Sequence, residues 1–218
     1  MIKNRNIAKL TGYSLLLMAV VAGFSFGYAL PQIFDPAKMD SAQNNLMANL
    51  PLYKNMLIGI LVVLLLDIVV SWSLYLYFKN DNKKLALYSF ALRIIYTVMF
   101  GIATYFLAIN FIHPNESKTI ITDNYNSFQK IWSIGLIVFG LHLIVVGILM
   151  KLHKMIPRIL WYLTIIAGAS YILVRVLKTA LPQASELTNI LNIILGLPMA
   201  LGELGLAIWL IVKGGKAK

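Results

Sequence analysis

The chain has 218 residues, of which 60% are hydrophobic and 12% charged, with a formal net charge of +11 and no cysteine. A soluble domain of this length runs nearer half apolar and a quarter charged, so the composition excludes an ordinary soluble protein. The missing cysteines exclude disulfides, thiolate metal sites, cysteine nucleophiles and S-acylation.

Apolar runs of 18 or more residues recur along the chain, each long enough to cross a bilayer. The sequence predicts an all-α, polytopic membrane protein, one transmembrane domain over residues 1–218 with six helical spans and both termini in the cytoplasm. The first span, 10–30, is too long for a signal-peptide core, and Tyr28-Ala29-Leu30 is a poor cleavage site. An outer loop over 31–51 follows. Asp40 or Ser41 is its plausible N-cap, and Pro51 ends a polar stretch read as a short surface helix. The second and third spans, 52–78 and 85–112, are joined by a short basic turn. A second polar outer segment, 113–130, precedes the fourth span, 131–150. The fifth and sixth spans are 157–178 and 187–212.

The charges order the topology. Twelve of the 19 Lys and Arg fall on the side of the termini, five fall on the other side, and Arg93 and Arg175 lie within spans. With the acids included, the termini side carries the whole excess of +11. The positive-inside rule places that side in the cytoplasm. The basic balance therefore reads as topology and contact with anionic lipid headgroups, with the bilayer as partner and no nucleic acid.

Ionisable residues inside spans are costly and normally face the bundle interior, paired. At about 1.5 Å per residue, Asp67, Arg93, His142 and Glu203 all lie roughly 12–16 Å from the cytoplasmic end of their spans. Arg175 lies far out, where it can snorkel with Lys178. Steps of three and four place polar residues on inward stripes. The second span aligns Asp67, Ser71 and Tyr75, and the third aligns Ser89, Arg93, Thr97, Gly101 and Thr104. Gly135 and His142 share a face of the fourth, Trp161, Thr164, Gly168, Tyr171 and Arg175 one of the fifth, and Asn189, Asn192, Gly196 and Glu203 one of the sixth.

Glu203 sits beyond Gly196 and Pro198 and next to Gly202. Pro198 has no N–H, so a kink or break is expected there; the alternative is a local re-satisfaction of the freed groups. Two carboxylates against one guanidinium leave this layer one negative charge over. A protonated His142, a proton on one acid or a bound cation would balance it.

No H-E-x-x-H pair, G-x-S-x-G elbow, P-loop or dinucleotide fingerprint occurs. The reading leans away from an enzyme and implies no cofactor and no metal; an intramembrane hydrolase or transferase ranks third. The leading reading is a proton- or cation-linked transporter or small-ligand binder using Asp67, Arg93, His142 and Glu203. The alternative is an assembly, sensing or accessory membrane protein, with a membrane-protein partner, whose buried charges are structural.

Three segments carry a resemblance: "NIAKLTGYSLLLMAVVAG" (Asn6–Gly23), "NNLMANLPLYKNMLIGIL" before the second span, and "LGELGLAIWLIVKG" (Leu201–Gly214). Nearly the whole chain resembles the membrane-protein family called domain of unknown function 4386. The most specific part is the closing G-E-x-x-L-x-x-W-L-x-x-K-G pattern. The resemblance implies a multi-span protein of the bacterial cytoplasmic (inner) membrane with no assigned activity. It points to Gly202, Glu203, Trp209 and Lys213 as a recurring tail.

Overall fold

The computed structural model describes residues 2–35, 38–180 and 185–215; the side chains of residues 2–3, 179–180, 185–189, 192–193 and 197–200 lie outside the description. The chain is all-helical among these residues, and six helices are long and apolar enough to cross a membrane. The first span is composite. Helix α1 (Ile2–Ala22) passes into a π-helical segment at Gly23–Ala29 and ends in the short helix α2 (Leu30–Ile33). A 3-10 turn (Met39–Ser41) and helix α3 (Ala42–Ala48) make the connection to the second span, on the face opposite the N-terminus. The remaining spans are α4 (Leu50–Phe78), α5 (Lys83–Ile112), α6 (Lys118–Leu152), α7 (Arg158–Ala180) and α8 (Ser185–Val212).

Local chemistry sets several of these ends. Pro51 lies in the first turn of α4, where its missing N–H costs nothing. Asn82 caps α5, its Oδ1 accepting from Leu85 N at 3.0 Å. Ser117 caps α6 by accepting from the N–H of Ile120 at 3.4 Å.

The fourth helix departs from the expected boundary. Residues 118–130, expected in an outer loop, form its first turns, and α6 runs for 35 residues. Ile121 and Phe128 are fully buried on one face of this extension, and Tyr125 packs between them. Asn110 Nδ2 donates to Ile121 O at 3.0 Å, and Asn124 Nδ2 donates to Asn110 Oδ1 at 2.7 Å. Of the polar residues that suggested a loop, Asn124 is thus tied to α5 through Asn110. Lys118 also pairs with Asp40, and Gln43 Nε2 donates to Glu116 O at 2.7 Å, which fastens the first outer connection to the second.

Each span packs on the next, α4 on the first, then α5, α6, α7 and α8, and α8 returns to α1. The result is a closed ring of six helices. Its outside is apolar, with Leu61, Leu65, Ile68, Val98 and Ile102 exposed, while Asp67, Ser71, Ser89, Arg93, Thr97, Thr104, His142 and Thr164 are buried. Apolar outside and polar inside is the pattern of a bundle in contact with lipid. Glycines set the closest approach. A Cβ on Gly140 would lie 2.6 Å from Gly168 O, and one on Gly168 would lie 2.5 Å from Gly140 O, so α6 and α7 meet backbone to backbone. At the terminal face Arg5 closes the ring. Its guanidinium donates to Leu210 O at 3.1 Å and Gly214 O at 2.7 Å, both at the end of α8.

Candidate functional site

The four ionisable residues singled out from depth meet in one cluster. Asp67 comes from α4, Arg93 from α5, His142 from α6 and Glu203 from α8, and helical spacing turns each into the ring. Arg93 is fully buried. Its Nε donates to Asp67 Oδ1 at 2.8 Å, and Nη2 lies 2.8 Å from the same oxygen. Nη1 lies 3.2 Å from Glu203 Oε1 and 3.2 Å from His142 Nε2. Nη2 also reaches Met18 Sδ at 3.8 Å. A guanidinium has five N–H donors, and these contacts occupy all of them. The Phe139 ring lies under it, 5.4 Å from centroid to Cζ.

The same contacts decide the state of His142. A guanidinium only donates, so Nε2 must accept. The proton therefore sits on Nδ1, which faces Ser89 O at 2.9 Å and Ser89 Oγ at 3.1 Å. The imidazole is neutral in this arrangement. Of the three sources of balancing charge expected from the sequence, a protonated His142 is the one this geometry removes. Arg93 likewise has no donor left to hook an anion and acts as the counter-charge alone.

The two acids differ. Asp67 is sealed, with 2% of its side chain exposed, whereas 22% of the Glu203 side chain is exposed. Glu203 borders a cavity of about 320 Å³ inside the ring. Every span contributes to its wall, among them Met18, Asp67, Arg93, Phe100, Trp132 and Tyr171. On α5 the lining runs from Arg93 through Tyr96 to Phe100, two turns or roughly 10 Å. The cavity is thus charged at one end and aromatic along its length.

Sequence reasoning missed this aromatic wall and the part played by the first span, which carries no buried charge to draw attention. The π-helical segment at Gly23–Ala29 places Phe26 in the wall, stacked on Trp132 at 4.7 Å between centroids. π-Helical turns are rare and often accompany functional sites. The signal available was the pair Gly23 and Gly27 within one short stretch, together with Gly59 on the facing helix. A Cβ on Gly59 would meet the Ser25 hydroxyl, so the glycine leaves room for the Ser25 side chain against α4.

Other expected residues lie apart from the cluster. Ser71, Thr97 and Thr104 are buried along their stripes, whereas nothing stands within 4 Å of a Cβ on Gly101 or Gly196. The α8 backbone stays helical through Gly196, Pro198 and Gly202, so the expected break is absent and any kink is a bend within one helix. The side chains of Asn189, Asn192 and Pro198 lie outside the described residues. Gly202 has a packing role, since its Cβ would lie 2.9 Å from that of Ala167. Trp209 is buried and stacks edge-on against His153, and Lys213 is exposed.

No solved structure matches the chain. A protein of Archaeoglobus fulgidus described as uncharacterized is 28% identical over 160 residues, 73% of this chain and 84% of that protein. Residues 10–214 match the family described as domain of unknown function (DUF4386), and this multi-pass chain, all-helical among its described residues and with a buried Asp67–Arg93 ion pair, belongs to that family.

Proposed function

We propose that this chain is a small-ligand-binding protein of the cytoplasmic membrane, with both termini inside, whose central cavity takes a ligand together with a proton or cation at Glu203. One observation carries the reading. A cavity of about 320 Å³ ends on a cluster in which two carboxylates face one guanidinium and one neutral imidazole. The cluster holds one uncompensated negative charge, and the carboxylate that borders open space is Glu203. Such a charge inside a bilayer is costly until something positive joins it. The volume falls at the low end of the usual range for small-molecule pockets, about 300–1,000 Å³.

The sealed Asp67–Arg93 pair favours a structural role for those two residues. Saturated donors and near-zero exposure suit a bridge that holds α4 to α5. The alternative, in which the whole layer is structural, extends that role to Glu203 and His142.

Because the chain has no cysteine, a single thiol reports on the cavity without background. In liposome-held protein carrying Leu136→Cys, on the cavity wall, the rate ratio of a methanethiosulfonate bearing trimethylammonium to one bearing sulfonate should be several-fold larger than the ratio the same reagents show with a free thiol. Glu203→Gln should bring the ratio back to the free-thiol value. A thiol that reacts with neither reagent means a closed, dry cluster and supports the structural alternative.

A further inference from the structure

We infer that the ligand of this cavity is an organic monocation with an aromatic or compact apolar body, its ammonium at Glu203 and its body along the aromatic wall. The inference rests on the reading of the cavity as a ligand site and names what fits there.

The charge at the Glu203 end sets the sign. The cluster is one positive charge short, and Glu203 presents a partly exposed carboxylate to the cavity. Arg93 has spent all five N–H groups on Asp67, Glu203, His142 and Met18, so an anionic ligand would find a carboxylate and no free donor. A neutral ligand would leave the balancing charge to a proton and gain nothing from the carboxylate.

The walls set the kind of cation. Ca²⁺ binds six to eight oxygens, about 2.3–2.6 Å away. Among the described residues no group of three or more His, Asp or Glu is placed to hold a metal ion. Beyond the cluster the cavity is lined by rings instead. Phe26 stacks on Trp132 at 4.7 Å and tilts against Phe100 at 5.8 Å, Tyr96 packs on Phe139 at 4.8 Å, and Phe139 meets Tyr171 at 5.4 Å. Ring faces attract an ammonium within about 6 Å of their centroids and pack well against another ring. The wall already does this once, since Phe139 lies against the Arg93 guanidinium. A bare metal ion gains little from such a surface, whereas an alkylammonium with a ring gains at both ends.

The length agrees. From Arg93 to Phe100 the lining spans roughly 10 Å, room for one ring and a short substituted ammonium. Benzyltrimethylammonium has that shape. Neopentylbenzene is its neutral counterpart, with carbon in place of nitrogen, and benzenesulfonate is an anion of similar size.

The test measures protection of Leu136→Cys from the small neutral reagent methyl methanethiosulfonate, in protein held in lipid nanodiscs. Benzyltrimethylammonium should protect the thiol at concentrations at least about tenfold lower than either neopentylbenzene or benzenesulfonate needs. Glu203→Gln should leave the cation and its neutral counterpart equally effective. Equal protection by the two in the unaltered site overturns the cation inference and leaves the cavity as an apolar ligand site. Stronger protection by benzenesulfonate overturns it as well. Failure of all three to protect a thiol that does react also overturns it. A thiol that never reacts removes the ligand reading itself, and the inference falls with it.

Discussion

Arg93 and Asp67 face each other across α5 and α4, with Nε and Nη2 both directed at one carboxylate oxygen, each 2.8 Å away. The side chains are 1% and 2% exposed. At that exposure the energetics of the pair are those of a buried bridge. Removing one partner strands the other charge, while removing both does not.

Arg93→Met should therefore lower stability by about 3–5 kcal/mol, because it leaves Asp67 and Glu203 facing each other without a counter-charge. Adding Asp67→Asn to that variant should recover a large part of the loss. Arg93→Lys should be intermediate, since an ammonium cannot span Asp67, Glu203 and His142 at once. Thermal unfolding in detergent would check the order. An Arg93→Met protein as stable as the parent would contradict the buried bridge.

The α6–α7 crossing depends on two glycines with carbonyls against them. Gly168→Ala puts a methyl group 2.5 Å from Gly140 O, where backbone cannot yield cheaply. A loss of roughly 1–3 kcal/mol is expected, the usual cost of overpacking. Gly101→Ala is the control. Nothing lies within 4 Å of the new Cβ, so that variant should hold or gain up to about 1 kcal/mol through better helix propensity.

Arg5 holds the end of α8 by donating to carbonyls that have no helical partner. Arg5→Ala should cost on the order of 1–2 kcal/mol at that end only. Amide hydrogen exchange should quicken at Lys213 and Gly214, whose N–H groups bond Trp209 O at 2.7 and 3.1 Å, and stay unchanged near Asp67.

The connection between the first two spans carries a pH dependence of defined sign. The Lys118 ammonium, through a hydrogen bond and its charge, holds the Asp40 carboxyl below the usual 3.8. A depressed carboxylate contributes above its unfolded value and loses that contribution as pH falls through its folded value. The tie should therefore persist from neutral pH down to about 3.8 and loosen only below it. A nitroxide on Asn44→Cys would show constant mobility over that range and a rise beneath it. Asp40→Asn should be mobile throughout. Asp40 is almost wholly exposed, so high salt should weaken the tie at any pH.

The structure bears out much of what patterning alone predicts about the fold. Six helices long and apolar enough to cross a membrane form, as the apolar runs predict, because the requirement that each segment satisfy its own backbone in lipid is local. The start of α6 was misread since polarity hid a helical period. Ile121, Tyr125 and Phe128 recur at steps of four and three, yet the polar residues between them resemble a loop until Asn110 is seen to bond Ile121 O and Asn124 from α5. The backbone of α8 is also continuous through Pro198, where a kink or break was expected.

For the site, the sequence by itself determined that Asp67, Arg93, His142 and Glu203 share one depth and carry an unbalanced charge. Charge and rise per residue are properties of the chain, and burying an ion in lipid is too costly to occur without a partner. Only the tertiary structure decided that Arg93 spends every donor, that His142 is neutral, that Asp67 is sealed while Glu203 borders a cavity, and that aromatic rings line it. Those facts depend on which helices are neighbours and how each is rotated. Rotation is set by contacts between residues far apart in sequence, such as Gly140 with Gly168 and Ser25 with Gly59, whose partners no single helix encodes.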